Sequence, residues 1–246
     1  MTAPPLDSLP GFRRRFVVTP GPGRVRSELE DDFHHMSVTL QHKDGTVTAV
    51  EPAVERAPWT TCPGAVAQLQ KTFANVALAA FVARGEKPAN CTHLHDLAIL
   101  AAAHFNDSEQ LVYDILVSDP IDGRWRAELR RNGTTVMSWA HVDGRLVEPM
   151  ELAGVTLDKL RPWIESRDAQ RQEEARILRW GTLVANGRVI PLANQSDASR
   201  MRIGVCFTFQ PHNAPHARRV GEIRDFSTGS AQPLESRALE NRPALS

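Results

Sequence analysis

Several features that mark common protein classes are scarce or missing in this sequence. It has only three cysteines in 246 residues, an odd number that cannot form a disulfide framework. The thiols are therefore expected as free groups or ligands, and a reducing cytoplasm is the simplest location. Charge of neither sign is in excess: 29 basic side chains balance 29 acidic ones. That excludes a basic field for nucleic acid and an acidic tail. No window approaches the roughly 18 apolar residues of a membrane span, so no membrane partner is expected. The opening MTAPPLDSLPGF lacks the charged-then-apolar order of a signal peptide. There is no G-x-G-x-x-G after a strand, no G-K-[ST], no G-x-S-x-G elbow and no H-E-x-x-H helix. Nucleotide-dependent enzymes and the familiar hydrolases are disfavoured accordingly.

What is present suits a globular protein. Hydrophobic residues make up 41% and charged residues 24%, ordinary values for a soluble domain. The length is enough for one large α+β domain or two small ones sharing a core. Residues 1–30 are rich in proline, glycine and arginine, which argues against a packed strand before about residue 24. They are expected to form an arm, with Arg13–Arg15 either a solvated charge cluster or an anion site. Residues 31–226 are expected to form a single α+β domain, and the polar tail 227–246 to be disordered.

Within that domain the pattern from His34 has period two, which predicts a strand. Asp44-Gly45 is a hairpin turn signal, and Thr46–Glu51 returns as the partner strand. Pro63 suits the first position of a helix that carries Val66, Leu69, Phe73, Val76, Leu78 and Phe81 and ends near Gly85. Asn90 or Thr92 can cap a second helix bearing Leu94, Leu97, Ala98, Ala101 and Phe105. A meander follows: Leu111–Ser118, Trp125–Arg131, Thr134–Val142 and Leu146–Met150, with turns at Asn132-Gly133 and Asp143-Gly144. A longer helix runs from Leu157 to about Trp180. A short hairpin is expected over Gly181–Leu192 and a strand over Arg202–Gln210. The fold class is α+β: antiparallel strands, two consecutive helices after the first hairpin and one longer helix after the meander.

Reactive side chains concentrate between Asp31 and Phe105. Cys62 and Cys91 each precede or cap a helix, where the dipole favours a thiolate. They read as nucleophiles, ligands or pocket-lining residues, or as small buried side chains. His93 follows at the same helix start, where imidazolium is disfavoured and a neutral ring can act as base or ligand. His95, two residues on, lies on another face and reads as a surface residue. Asp96 could hold the second nitrogen of His93 or be an ordinary first-turn acid. His34 and His35 alternate across the strand, so one faces the core and the other an open face, and either could be the reactive one. Arg56 could steady an oxyanion or pair with Asp31 or Asp32. Trp59 and Tyr113 are candidate substrate contacts, or simply core.

At DDFHHM, R-x-P-W-T-T-C-P-G-A and C-T-H-L-x-D-L-A, the chain resembles a bacterial family catalogued only as a domain of unknown function. The segment CFTFQP is similar to that family's C-terminal part, and the resemblance spans roughly Arg24 to Phe226. It marks His34, His35, Arg56, Pro58, Cys62, Pro63, Cys91, Thr92, His93 and Asp96. It implies no settled activity. It does imply a setting, bacteria that degrade aromatic or steroid-like compounds.

The leading expectation is a cofactor-independent acid–base enzyme, a lyase or isomerase. Its substrate would be a small, largely apolar and lignin-like aromatic alcohol or carbonyl compound. His34, His35, Arg56, His93 and Asp96 are its candidate catalytic residues, and Trp59, Cys62, Cys91 and Tyr113 its substrate contacts. An alternative is a zinc- or iron-binding carrier or assembly protein using Cys62, Cys91 and His93, although C-x₂-C and H-x₃₋₅-H pairs are missing. A third reading is a small-ligand-binding module without chemistry. The expected partner is a small molecule, and a homo-oligomer stays open.

Overall fold

A computed structural model describes residues 4–190, 197–198, 201–228 and 231–235. It is an α+β protein built on one antiparallel sheet of eight strands. In chain order these are β1 (Gly11–Gly21), β2 (Arg24–Asp31), β3 (His35–Lys43), β4 (Thr46–Arg56), β5 (Leu111–Ser118), β6 (Arg124–Arg131), β7 (Thr134–Val142) and β8 (Arg145–Glu148). Their order across the sheet is β4-β3-β2-β1-β5-β6-β7-β8. The predicted first hairpin and the four-strand meander are all present. Asp44-Gly45, Asn132-Gly133 and Asp143-Gly144 have φ near +50° then above +70°, the paired left-handed geometry that a two-residue hairpin turn requires.

The expected arm is a correction. Residues 11–31 are two long strands, β1 and β2, because Phe12, Phe16, Val18, Val25 and Leu29 are all core side chains. Of the prolines and glycines that argued against strands, Pro4, Pro5 and Pro10 precede β1, Gly11 opens it, and Pro20-Gly21-Pro22-Gly23 lies where β1 turns into β2. Nor are the arginines a solvated cluster. Arg13 is buried and donates to the carbonyls of Leu6 (2.8 Å) and Leu9 (2.7 Å), and Arg15 pairs with Asp114 at 2.6 Å.

Helix α1 (Ala65–Phe73) stops about three turns before the end near Gly85 that its apolar spacing suggests. Asn75 adopts φ +59°, and the chain is then drawn to the first hairpin: Val47 N–H donates to Val76 O (3.0 Å) and Leu78 N–H to Gly45 O (2.9 Å). Leu78 and Phe81 still reach the core, Phe81 stacking on Phe73 at 4.3 Å, so the apolar spacing reported burial correctly and helix wrongly. Helix α2 (Thr92–Ala103) begins as predicted, but its N-cap is Cys91, without a side-chain cap from Asn90 or Thr92. It lies over β2 and β3, where Ser27 Oγ donates to Leu97 O at 2.5 Å.

The long helix is broken into α3 (Arg161–Glu165) and α4 (Ala169–Ala185), because the Asp168 carboxylate captures the Arg171 N–H at 2.9 Å and starts a new helix. The helix then runs through the first half of the expected Gly181–Leu192 hairpin, and Asn186–Arg188 forms a 3-10 turn. Leu192 lies outside the described residues. Arg202–Gln210 is not a strand either. Ile203 and Val205 are exposed, Phe207 N–H is spent on Asn90 O (2.8 Å), and Phe207–Phe209 is a 3-10 turn. Phe226 and Leu234 are buried, so the start of the expected disordered tail is packed, and its end, 236–246, lies outside the described residues.

Contacts divide the chain into two compact units, with boundaries unlike the arm, domain and tail read from composition. One draws on Met1–Arg15, Val112–Ile190 and Asp225–Ser246, the other on Phe16–Leu111 and Pro191–Arg224. In the first, Tyr113 is fully buried with its hydroxyl donating to Glu173 (2.9 Å), Trp139 donates to Thr182 (3.1 Å), and His141 stacks on Trp125 at 5.7 Å.

Two outcomes follow from this packing. A Cβ at Gly11 would lie 2.1 Å from the Val117 carbonyl oxygen, so Gly11→Ala should cost at least about 2 kcal/mol, read from the urea midpoint. Burial holds the His141 pKa down at about 4. The unfolded chain takes up that proton below about pH 6.5 and the folded chain does not, so stability should fall as pH drops from 6.5 towards 4. In His141→Phe, which preserves the stack, urea midpoints over that range should fall less steeply.

Candidate functional site

The candidate site lies in the second unit and begins at the β2–β3 connection. Glu30 pairs with His35 across the two strands, and Asp31 N–H donates to His34 O (2.9 Å), leaving Asp32-Phe33-His34 as a tight loop. His34 is therefore a loop residue, one position before the strand that period two suggested. Asp31 is fully buried, and its Oδ1 accepts from the backbone N–H of Phe33 (2.7 Å) and of His34 (2.8 Å). The same carboxylate takes the His34 ring: Nδ1 is 3.0 Å from Oδ1 and 3.2 Å from Oδ2. A carboxylate only accepts, so Nδ1 carries the proton, and a neutral His34 has its lone pair on Nε2.

Arg56 makes this loop rigid. Its guanidinium donates to Asp31 O (2.7 Å), Asp32 O (2.8 Å) and the Glu30 carboxylate (3.1 Å). Of the two readings of Arg56 these contacts match the pairing with the acidic stretch, since Nη1 and Nη2 are taken up by the loop and its flank. His35 sits on the strand itself, its Nε2 3.0 Å from Glu28 Oε1. The hydrogen bond to Glu28 raises its pKa against the cost of burial, with Glu30 and Glu55 adding to the effect. Of the two adjacent histidines, it is His34 that joins the cluster.

The second contributor is the start of α2. The His93 ring centroid lies 4.0 Å from that of His34, with the planes tilted by 33°. Among the described residues, Asp31, His34 and His93 are the only three His, Cys, Asp or Glu side chains whose ligand atoms all lie within 4.8 Å of one another. Asp96 takes the blander of its two readings, an ion pair with Lys87 at 2.6 Å. His95 is not at the surface: it is buried against Phe73, 5.2 Å between centroids, and burial lowers its pKa to about 4. The divergence of His93 and His95 around the helix is as the spacing predicts.

The cysteines gather near the same helix starts but not as the dipole argument suggests. Cys62 opens a 3-10 turn (Cys62–Gly64), and its Sγ is 3.4 Å from Thr208 Oγ1. Burial pushes the pKa of all three thiols up, and in Cys91 the neighbouring Cys62 and Cys206 push it further. Thiolates are thus disfavoured, because desolvation outweighs the partial charge of a helix terminus. The set Cys62, Cys91 and His93 does not satisfy the spacing test that Asp31, His34 and His93 pass. Tyr113, assigned to the same pocket from sequence, is a core residue of the other unit.

Sequence reasoning missed one residue altogether. The segment 218–220 runs antiparallel to Pro58–Thr60: Thr60 N–H donates to Arg218 O (3.0 Å) and Val220 N–H to Pro58 O (2.9 Å). Gly221 closes this pairing at φ +86°, where a Cβ would meet Ala57 O at 2.7 Å. Arg219 is thereby laid across two aromatic faces, 5.7 Å from the Trp59 ring and 5.8 Å from the Phe33 ring. Among the described residues its guanidinium has no hydrogen-bond acceptor or carboxylate partner. Burial lowers its pKa, opposed by Cys62. Trp59 packs with Cys62, Ala217 and Phe209. No local pattern marked Arg219, because the pairing that places it joins residues about 160 positions apart.

Comparison with protein-family models and with curated proteins found no match to the chain.

The His35–Glu28 pair makes its own prediction. A raised folded-state pKa gives stability that is complete below about pH 6.5 and lost as pH rises through the folded value. Glu28→Gln should bring the His35 pKa down, followed through the imidazole C–H signals in an NMR titration. An unchanged titration would refute the pairing.

Proposed function

We propose that Asp31, His34 and His93 form an acid–base site for a small, largely apolar aromatic compound carrying an alcohol, phenol or carbonyl oxygen. The reaction class is a lyase or isomerase step. The observation that carries this reading is the buried Asp31–His34 contact at 3.0 Å with the ring centroid of a second imidazole, His93, 4.0 Å from that of His34. His34 Nε2 takes a proton from a carbon or hydroxyl of the substrate, and Asp31 stabilises the imidazolium that results. His93 delivers a proton to the oxygen or carbon on which charge develops. Two imidazoles side by side resist being charged together, so one as base and one as acid is the favoured pairing of states.

The surroundings support the substrate class. Phe33 and Trp59 supply flat apolar surface near the cluster, and Arg219 between them is suited to a phenolate or carbonyl oxygen. Arg219 replaces Arg56 in that role.

The test is proton exchange. Small phenols, benzylic alcohols and aromatic aldehydes or ketones are incubated with the protein in deuterated water and followed by NMR. Wild type should exchange or convert at least one of them. His34→Ala and His93→Ala should each slow that rate at least about a hundredfold, while His35→Ala leaves it unchanged. Binding without exchange would instead support a ligand-binding module, and equal rates in His34→Ala would remove His34 from the chemistry.

A further inference from the structure

We propose that Asp31, His34 and His93 are also a binding site for one divalent first-row transition ion. Nitrogen and oxygen ligands sit about 2.1 Å from such an ion, so two neighbouring ligand atoms are separated by about 3.0 Å in an octahedron and about 3.4 Å in a tetrahedron. His34 Nδ1 and Asp31 Oδ1 are 3.0 Å apart, the separation that two ligands of one ion require. His93 completes a trio whose ligand atoms all fall within 4.8 Å of one another. Two imidazoles and one carboxylate are a common donor set for zinc and ferrous iron, and they leave coordination positions open.

The surrounding structure has the features of a supported site. The N–H groups of Phe33 and His34 hold Asp31 Oδ1, and Arg56 fixes the carbonyls of Asp31 and Asp32, so the loop does not have to be ordered by the ion. Asp31 and His34 are buried, while His93 is only partly so and provides the way in. The ligand set differs from the one drawn from sequence: it uses no sulfur, and the cysteines stand outside it. A consequence that rests on the acid–base reading also follows. An ion on His34 Nδ1 displaces its proton to Nε2 and removes the lone pair that serves as base, so the loaded site should be inactive in proton exchange.

The experiment uses the full-length protein stripped with a chelator, then dialysed against Zn²⁺ or Co²⁺, with elemental analysis and the visible cobalt spectrum as readouts. One ion per chain is expected, with a cobalt absorption band. Asp31→Asn, His34→Gln and His93→Gln should each weaken binding at least about tenfold, and Cys62→Ser, Cys91→Ser and His35→Ala should not. Circular dichroism confirms that each variant is folded, and Zn²⁺ should suppress exchange in wild type. Less than half an ion per chain in wild type, or binding that survives in folded His34→Gln, would overturn the proposal. So would loss of the ion in the cysteine variants. The two readings fail separately. No ion with exchange abolished by His34→Ala defeats only the metal site, and one bound ion per chain with no exchange in the ion-free protein defeats only the acid–base reading.

Discussion

The site depends on one buried carboxylate. Asp31 is wholly removed from water, and a buried charge is costly unless its oxygens are supplied with donors. Two backbone N–H groups and the His34 ring supply them, and each of those donors belongs to the loop that Asp31 itself begins. Satisfying the carboxylate therefore shapes the loop, and shaping the loop orients the imidazole. Arg56, reaching in from β4, fastens the carbonyls on the outer side of the same turn. The His34 imidazole is fixed here by the same hydrogen bonds that close a hairpin.

Opposite this loop the structure brings up the start of α2. Because α2 packs over β2 and β3, its first turn arrives where those strands are joined, and His93 meets His34. The late segment closes the second flank by pairing with the chain at Pro58–Thr60 and presenting Arg219 over Trp59 and Phe33. The cysteines contribute compact packing around these elements. Their raised pKa values show that burial dominates over the weak field of a helix start, which acts only within its first turn.

Where sequence reasoning went astray, the physical reasons are specific. Apolar spacing past Asn75 was read as one continuous α-helix, yet Leu78 and Phe81 are buried from a 3-10 turn (Leu78–Ala80) and its cap, tied to the Gly45 turn. Residues 202–210 alternate like a strand, but their backbone bonds go to Asn90 and to a local turn. Proline and glycine in the first thirty residues were read as breakers of structure, when they either precede or open β1 or mark its turn into β2. His95 was placed at the surface because it lies on another face of the helix from His93, although Phe73 from another element covers it.

Local rules were sufficient wherever the deciding contact was close in the chain. The α+β class, the first hairpin, the four-strand meander and the start of α2 were legible because turn dipeptides and alternation act over a few residues. So were the candidates His34 and His93, as residue types in dense motifs, whereas Asp31 was read only as a carboxylate available for pairing. Which of two adjacent histidines would meet His93, and which of the two readings of Arg56 its contacts would match, was not legible. Nor was it legible that the cysteines would be buried as thiols, or that Arg219 would lie over Trp59 and Phe33. Those outcomes were decided by pairings between segments far apart in the chain. Burial and hydrogen-bond partners at such junctions come from the assembled structure, and no single stretch of sequence contains them.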